Sequence, residues 1–159
     1  LEGIKIANGK CIAWTHADNQ TDIIDIINAF NKNKMDLINS SILVKGLRLK
    51  RNWLDAFLTK GMSFFVLIVL GYNVSDINAQ PKIFNSSLKK LFVEPPLDFS
   101  LDLYLLLLAR KNFIPIIEYP VYFNKRRFGV SKGGGSIIGK MRLILRTMKY
   151  IIKLKKQWK

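Results

Sequence analysis

Short apolar runs of strand length alternate along this chain with longer runs whose apolar residues recur at helical spacing. Residues 10 to 14 form the first short run. After them, Ile23, Ile27 and Phe30 lie on one face of a predicted helix over residues 21 to 32. Because each face of a sheet must be covered by other elements, strands that alternate with helices predict an α/β fold, a sheet flanked by helices.

The same two patterns place the remaining elements. Residues 41 to 44 predict a strand, and residues 113 to 123 predict a short or edge strand because two prolines interrupt them. A polar, turn-like stretch is predicted at residues 75 to 82, and the glycines at 133 to 135 predict a hinge. Further helices are predicted over residues 1 to 8, 52 to 70, 98 to 111 and 137 to 156.

Positive charge is concentrated at the end of the chain. The formal net charge is +15, and no carboxylate follows Glu118, whereas twelve lysines and arginines lie beyond that residue. We therefore expect a domain over residues 1 to 132, then a hinge and a basic amphipathic helix over residues 133 to 159 that binds an anionic membrane surface. The apolar face of this helix is predicted to comprise Ile137, Met141, Ile144, Met148 and Ile151.

Composition indicates the cellular compartment of the chain and how it associates with a membrane. A single cysteine, Cys11, excludes an internal disulfide and suits a reducing cytoplasm. The longest apolar runs are shorter than the roughly 20 residues that cross a bilayer, so we expect a peripheral protein on the cytoplasmic face of the membrane. Because neither a secretory signal nor an initiating methionine is present, we also expect a chain that begins within a domain.

The first peptide with candidate chemistry follows the strand at residues 10 to 14. Side chains two apart on a strand project to the same face, so His16 and Asp18 can converge on one divalent cation. The carboxylate of Asp18 suits Mg²⁺ or Mn²⁺, and the imidazole of His16 shifts the preference toward Mn²⁺. The alternative is that both are ordinary polar residues at the end of a strand.

A second peptide, residues 122 to 132, places cations around a glycine and a hydroxyl. Arginine forks bind phosphate oxygens in pairs and a lysine adds a point charge, so Arg126, Ser131 and Lys132 predict a phosphate site. Arg48, which follows a strand and a glycine, can join the same cluster. The alternative is a solvated basic loop.

Asp76, Asp98 and Asp102 are the remaining carboxylates of interest. A sugar hydroxyl as acceptor would need one of them as a general base, whereas a lipid phosphate is already anionic and chiefly needs cations to hold it. The cationic bias of the sequence favours the phosphate. For Asp102, among leucines in a predicted helix, a buried structural role and a catalytic role both stay open.

These peptides occur in an order that resembles family 2 glycosyltransferases, and within them the polyprenyl-phosphate sugar transferases of the dolichol-phosphate mannose synthase type. The resemblance covers nearly the whole chain and depends on the series of motifs rather than on one of them. In order, the motifs are residues 7 to 10, Ala17-Asp18-x-Gln20, Lys45-Gly46-x-Arg48, Asp76 with Gln80-Pro81-Lys82, residues 117 to 121, and Arg126-x-x-Gly129-x-Ser131-Lys132.

The resemblance implies a GT-A fold, which is a Rossmann-like mixed sheet flanked by helices. It implies transfer of a sugar, with inversion, from a nucleotide-sugar donor to a polyprenyl-phosphate acceptor of the cell envelope. It also implies a divalent metal, Mg²⁺ or Mn²⁺, bound by Asp18 as the second acid of the family's Asp-x-Asp element. His16 stands where that element has its first acid.

The resemblance assigns further residues by their position in the motifs. Gln20 and Ser131 are expected to contact the cofactor. Asp76 is expected close to the transferred sugar, in a catalytic group whose other members contact the acceptor phosphate. Those other members are Arg48, Arg126 and Lys132.

The family's first strand and helix units, which hold the nucleotide, are expected to precede Leu1, so the fold is expected to be N-terminally incomplete. A fragment that has the fold but no turnover therefore stays an alternative. A membrane-protein partner or a homo-oligomer also stays open.

The main competitor from another class is a basic nucleic-acid-binding module, which the net charge of +15 favours. Against it, the sequence has no zinc-ligand spacing and no RNP-type aromatic motif, and its aromatic residues lie in apolar runs. We therefore expect no nucleic-acid partner.

Overall fold

The computed structural model describes residues 1–17, 20–50, 53–124 and 136–158. A short 3₁₀ helix, Ser86–Leu91, follows the third strand. The strands are β1 (Cys11–Trp14), β2 (Leu43–Leu49), β3 (Lys82–Asn85) and β4 (Ile116–Tyr122). The helices are α1 (Glu2–Ile6), α2 (Ile23–Lys32), α3 (Lys34–Asn39), α4 (Trp53–Leu70), α5 (Leu101–Lys111) and α6 (Ile137–Trp158).

The four strands form one mixed sheet in the order β1-β3-β2-β4. β3 pairs antiparallel with β1 and with β2, whereas β2 and β4 are parallel from Leu43↔Ile116 to Leu49↔Tyr122. β1, β2 and β4 therefore run in the same direction and end at the same edge of the sheet. Flanked by helices, this sheet confirms the α/β class and is compatible with a Rossmann-like fold.

The alternation of side chains along the strands builds two hydrophobic cores, one on each face of the sheet. Leu43 and Phe84 belong to the larger core, which includes α5, whereas Val44 and Ile83 belong to the smaller core. All of residues 103 to 109 in α5 are buried, which explains why this helix is apolar on every side. The smaller core packs under α2 and α3.

Most of the predicted elements are confirmed, and the strand predicted at residues 113 to 123 is β4, at an edge of the sheet. The prediction of a polar turn at residues 75 to 82 is wrong at its end, because β3 begins at Lys82, a lysine that tertiary contacts bury. β2 extends beyond the predicted end at residue 44 because β4 pairs with it as far as Leu49. The hinge predicted at residues 133 to 135 lies outside the described residues.

Helix α4 exposes a row of apolar side chains. Trp53, Phe57, Phe64 and Ile68 repeat at helical spacing on its exposed side. The helix has 18 residues with a mean hydropathy of 1.7, and by length and composition alone it could cross a membrane. Only 6% of this stretch is buried. The apolar runs of the sequence do not by themselves reveal α4 as such a candidate.

Helix α6 divides its apolar residues between the core and the solvent. Ile151 and Leu154 are buried in the larger core, whereas Ile138, Met141 and Leu145 are exposed. The predicted apolar face is therefore covered at Ile151 and exposed at Met141. Packing against the rest of the molecule decides which apolar row is covered, and periodicity cannot show this packing.

Candidate functional site

Three strand ends bring side chains together at the carboxyl edge of the sheet. His16 follows β1, Arg48 lies near the end of β2, and Phe123 follows β4. The rings of His16 and Phe123 meet edge to face with their centroids 6.0 Å apart. The guanidinium carbon of Arg48 lies 5.4 Å from the centre of the Phe123 ring. Open α/β sheets bind their ligands at this edge.

Hydrogen bonds join the loop after β1 to the loop after β4. The N–H of Asn124 donates to the carbonyl of Gln20 at 2.8 Å, and the side-chain amide of Gln20 donates to the carbonyl of Asn124 at 3.3 Å. Gln20 ends the first candidate peptide, and Asn124 lies in the second. The described parts of the two peptides are therefore neighbours. Four predicted site residues lie outside the described residues, namely Asp18, Arg126, Ser131 and Lys132.

Asp76 fixes the position of Arg48. Its carboxylate accepts a hydrogen bond from the backbone N–H of Arg48 at 2.9 Å and one from Nε of the guanidinium at 2.8 Å, and Nη2 contacts it as well. The backbone of Asp76 has a φ of +38°, in the left-handed region that aspartate tolerates better than most residues. Both side chains are largely buried, so the arginine fork is held in one orientation beside Phe123.

A second buried cation, Lys45, lies on β2 three residues before Arg48. Its Nζ is 3.0 Å from Oε1 of Glu118 on β4, a close ion pair that falls outside hydrogen-bond geometry. The hydroxyl of Ser75 donates to the same oxygen. Burial acts to raise the pKa of Glu118, but the hydrogen bond from Ser75 and the charge of Lys45 hold it below its ordinary value. Glu118 therefore stays ionised at neutral pH and balances Lys45.

Lys82 on β3 is a third buried cation. Its Nζ lies 2.9 Å from the carboxylate of Asp102 on α5. The ammonium also donates to the carbonyls of Ile77 and Ala79 at 2.9 and 3.0 Å. Burial lowers the pKa of Lys82, and the charge of Asp102 opposes that shift. The ammonium is therefore stable in the core only with its carboxylate in place.

Asp102 ties three elements together. Besides Lys82, it accepts hydrogen bonds from Nε1 of Trp14 on β1 at 3.1 Å and from the side-chain amide of Gln80 at 2.9 Å. Of the two roles that the sequence leaves open for Asp102, these contacts support the structural one.

The sequence pattern does not reveal that Lys45, Lys82 and Glu118 form ion pairs near the site. The two lysines pair directly across β2 and β3, so their side chains lie on the same face of the sheet. The available signal is a lysine beside Gly46 or after a proline, inside a run that is otherwise apolar. A buried lysine requires a carboxylate partner, but the partners are distant in sequence and periodicity does not identify them.

The predicted metal site rests on His16 and Asp18, and only His16 belongs to the described part of the chain. Its imidazole is half-buried against Phe123. The described residues contain no group of three His, Cys, Asp or Glu side chains that could hold a metal ion. An imidazole nitrogen shifts the preference of a site away from Mg²⁺ and toward the first-row transition metals, and the metal itself stays a prediction.

No protein-family model matches the chain, and no curated protein matches it. A function for this chain must therefore be inferred from the chemistry of the site. The site presents a fixed arginine fork, an imidazole and an aromatic ring at the edge where ligands of such sheets bind. A guanidinium is a donor that suits anionic oxygens such as those of a phosphate.

Gly46 allows the loop before β3 to approach β2. A methyl group added at Gly46 would lie 2.1 Å from the carbonyl oxygen of Gln80, and the N–H of Gly46 donates to the carbonyl of Pro81 at 2.8 Å. We expect Gly46→Ala to lower the free energy of unfolding by about 2 kcal/mol, because the two backbones must move apart. Urea unfolding measures this change.

Gly61 provides the matched control for this prediction. It lies in α4, and an added methyl group there would meet no atom within 4 Å. Gly61→Ala should raise the free energy of unfolding by roughly 0.5–1 kcal/mol, because alanine is the better helix former. If both variants unfold at the same urea concentration, the close approach at Gly46 has no energetic consequence and the prediction is wrong.

Proposed function

We propose that this chain is a glycosyltransferase of the GT-A type that transfers a sugar, with inversion, from a nucleotide-sugar donor to a polyprenyl phosphate. The observation that carries the proposal is the fixed Arg48–Asp76 pair at the carboxyl edge, beside the described ends of the two candidate peptides. The same edge collects the ends of β1, β2 and β4, as expected for a ligand site in an open α/β sheet.

A phosphate acceptor is compatible with the described part of the site, where the carboxylate of Asp76 is paired with Arg48. Such an acceptor is anionic at neutral pH, so it needs orientation and charge stabilisation rather than deprotonation. Arg48 supplies a fork whose direction Asp76 fixes, and Arg126 and Lys132 follow closely after Asn124 in the sequence. Asp76 is therefore proposed to act by positioning Arg48 near the transferred sugar.

A divalent metal, Mg²⁺ or Mn²⁺, is part of the proposal, with His16 and Asp18 as its ligands and Gln20 and Ser131 as nearby contacts. When bound, such an ion stabilises the negative charge of the departing nucleoside diphosphate. The edge-to-face contact with Phe123 restricts the orientation of the His16 imidazole, which suits a ligand.

Two variants test which residues bind the donor and which bind the acceptor. Asp18→Asn should abolish metal-dependent binding of the nucleotide-sugar donor, measured by calorimetry with and without Mn²⁺. Arg126→Ala should weaken binding of a short-chain polyprenyl phosphate more than it weakens donor binding. Unchanged donor binding in the first variant, or equal losses of donor and acceptor in the second, would count against the assigned roles.

We further propose that α4 and α6 place the site at an anionic membrane surface. The two helices are linked by the Lys140–Asp55 ion pair at 2.7 Å. α4 exposes the row that includes Phe57 and Phe64, and α6 exposes apolar side chains such as Met141 beside basic ones such as Arg142. An apolar row rimmed by cations is the surface that a peripheral protein presents to acidic lipid on the cytoplasmic face.

Replacing Phe57 and Phe64 by serine should weaken binding to vesicles that contain acidic lipid by at least about tenfold, because two exposed aromatic side chains that would insert into the lipid are lost. Cosedimentation measures the bound fraction. Phe113→Ser is the matched control, because this phenylalanine is 94% exposed and lies before β4, at the opposite edge of the sheet from the site. If Phe113→Ser weakens vesicle binding as much as the double replacement of Phe57 and Phe64 does, the proposal that α4 faces the membrane is wrong.

The same assay separates the proposal from nucleic-acid binding. Apolar contacts with lipid survive salt, whereas binding to phosphates alone falls steeply as salt is added. We expect vesicle binding to persist at a salt concentration that abolishes binding of an oligonucleotide. Tighter and more salt-resistant binding of the oligonucleotide would favour the nucleic-acid-binding module instead.

A further inference from the structure

The candidate site lies where the sheet narrows to two strands. β1 and β3 pair last at Trp14↔Lys82, and β2 and β3 pair last at Lys45↔Lys82. β2 and β4 continue beyond this row as a two-stranded ribbon that ends at Leu49↔Tyr122. Two strands alone are only marginally stable in water. The positions of side chains near the end of this ribbon therefore depend on contacts with other segments.

The loop after β1 makes contacts with the end of the ribbon, although β1 and β4 are the two outer strands. Two strands lie between them, which at the usual strand spacing is a separation of about 14 Å. In this loop the hydroxyls of Thr15 and Thr21 share a hydrogen bond of 2.7 Å. Gln20 exchanges two hydrogen bonds with Asn124. Described residues of the loop therefore cross the edge of the sheet and reach β4.

Phe123 joins the loop to the ribbon. It is the first residue after β4, and its side chain is half-buried. Its ring meets the His16 imidazole edge to face, with the centroids 6.0 Å apart, and its centre lies 5.4 Å from the guanidinium carbon of Arg48. At these distances both the aromatic pair and the cation–π contact are attractive. One side chain thus contacts a site residue after β1 and another on β2.

We infer that Phe123 is a positioning residue whose ring holds the His16 imidazole and the Arg48 guanidinium in a fixed relation across the edge of the sheet. The inference rests on the proposed function, in which His16 belongs to the donor side of the site and Arg48 to the acceptor side. Transfer requires donor and acceptor to be aligned, and a misplacement of about 1 Å can lower the rate roughly 100-fold. Phe123 itself acts only through these two neighbours.

Kinetics test this role. Phe123→Leu is expected to lower kcat for sugar transfer about tenfold and to change the KM of donor and acceptor less than about twofold, because leucine lacks the ring face that attracts a guanidinium. Phe123→Tyr keeps the ring and should keep kcat near the unmodified value. The number of donor sites per chain, measured by calorimetry, should be unchanged in both variants, which separates misplacement from loss of structure.

Phe113→Leu is the matched control. This phenylalanine is 94% exposed and lies before β4, at the opposite edge of the sheet from the site. Because the same change of side chain is made away from the site, both kcat and KM should stay near the unmodified values.

A measurement without ligands tests the contact itself. NMR of the full chain follows the Nε–H resonance of Arg48. His16→Ala removes one partner of the Phe123 ring, so the ring changes its orientation and the Arg48 resonance should shift. In the Phe123→Leu background the same substitution should shift this resonance at least about threefold less, since the two effects are then independent.

Three results would overturn the inference. The first is an unchanged kcat in Phe123→Leu, and the second is an equal fall in kcat in Phe123→Leu and Phe123→Tyr. The third is a shift of the Arg48 resonance by His16→Ala that is as large with leucine at position 123 as with phenylalanine. A chain that transfers no sugar but shows the ring-dependent shift would contradict the proposed function and confirm that Phe123 links His16 to Arg48.

Discussion

Asp102→Ala is expected to lower the free energy of unfolding by about 3–5 kcal/mol, the usual cost of leaving a buried charge without its partner. Lys82 is 0% exposed, and Asp102 is the carboxylate 2.9 Å from its ammonium. The substitution also removes the acceptor of the Trp14 and Gln80 hydrogen bonds. Urea unfolding followed by circular dichroism measures the loss.

The complementary variant, Lys82→Met, should lower the free energy of unfolding by less than Asp102→Ala does. The side chain of Asp102 is 16% exposed and keeps its two other donors, so its charge is less isolated than that of Lys82. The double variant Lys82→Met with Asp102→Leu should be more stable than Asp102→Ala, because no unpaired charge remains. If Asp102→Ala costs less than Lys82→Met, the account of this network is wrong.

The decrease in the free energy of unfolding caused by Asp102→Ala should also depend on pH. Burial already lowers the pKa of Lys82, and removal of Asp102 lowers it further because the opposing charge is gone. The folded variant then binds fewer protons than the unfolded chain, so its stability rises as the pH is raised toward the ordinary lysine pKa of about 10.4. Unfolding curves at several pH values check the sign of this slope.

The second large effect is expected at Arg48. If Arg48→Lys is made, kcat/KM for the polyprenyl phosphate should fall about 100-fold, since a charge-assisted fork is replaced by a single point charge. Lysine cannot reproduce the two guanidinium contacts with Asp76. Donor binding should change little, because this arginine is assigned to the acceptor.

Two variants make this prediction specific. Lys50→Asn removes a neighbouring cation, and asparagine tolerates the φ of +52° at that position, so acceptor use should stay near the unmodified value. Asp76→Asn should weaken acceptor use through Arg48. The double variant Arg48→Lys with Asp76→Asn should therefore be little worse than Arg48→Lys alone. Additive losses would mean that Asp76 acts independently.

The sequence predicts the parts of this fold that depend on local pattern. The helical spacing of Ile23, Ile27 and Phe30 locates α2, and the prolines at positions 115 and 120 predict the edge strand that the structure shows as β4. Arg48 is predicted as a site residue because it follows a predicted strand and a glycine, and the structure places it near the end of β2. In each case the signal lies within a few residues.

The features that the sequence does not predict depend on contacts between distant segments. The sequence pattern places Lys82 in a polar turn. In the structure it is buried in β3, because Asp102 and two loop carbonyls surround its ammonium. Ile151 of α6 is buried although spacing groups it with the exposed Met141. Periodicity gives the faces of a helix, but only the packed molecule decides which face is covered.

The most direct test of the account is whether the chain distinguishes a lipid phosphate from the corresponding alcohol. Calorimetry in detergent micelles compares a short-chain polyprenyl phosphate with the polyprenol of the same length. We expect the phosphate to bind at least about tenfold more tightly than the alcohol, since charge-assisted hydrogen bonds are each worth about 1.5–3 kcal/mol. Equal affinities for the two lipids would contradict the proposed phosphate site.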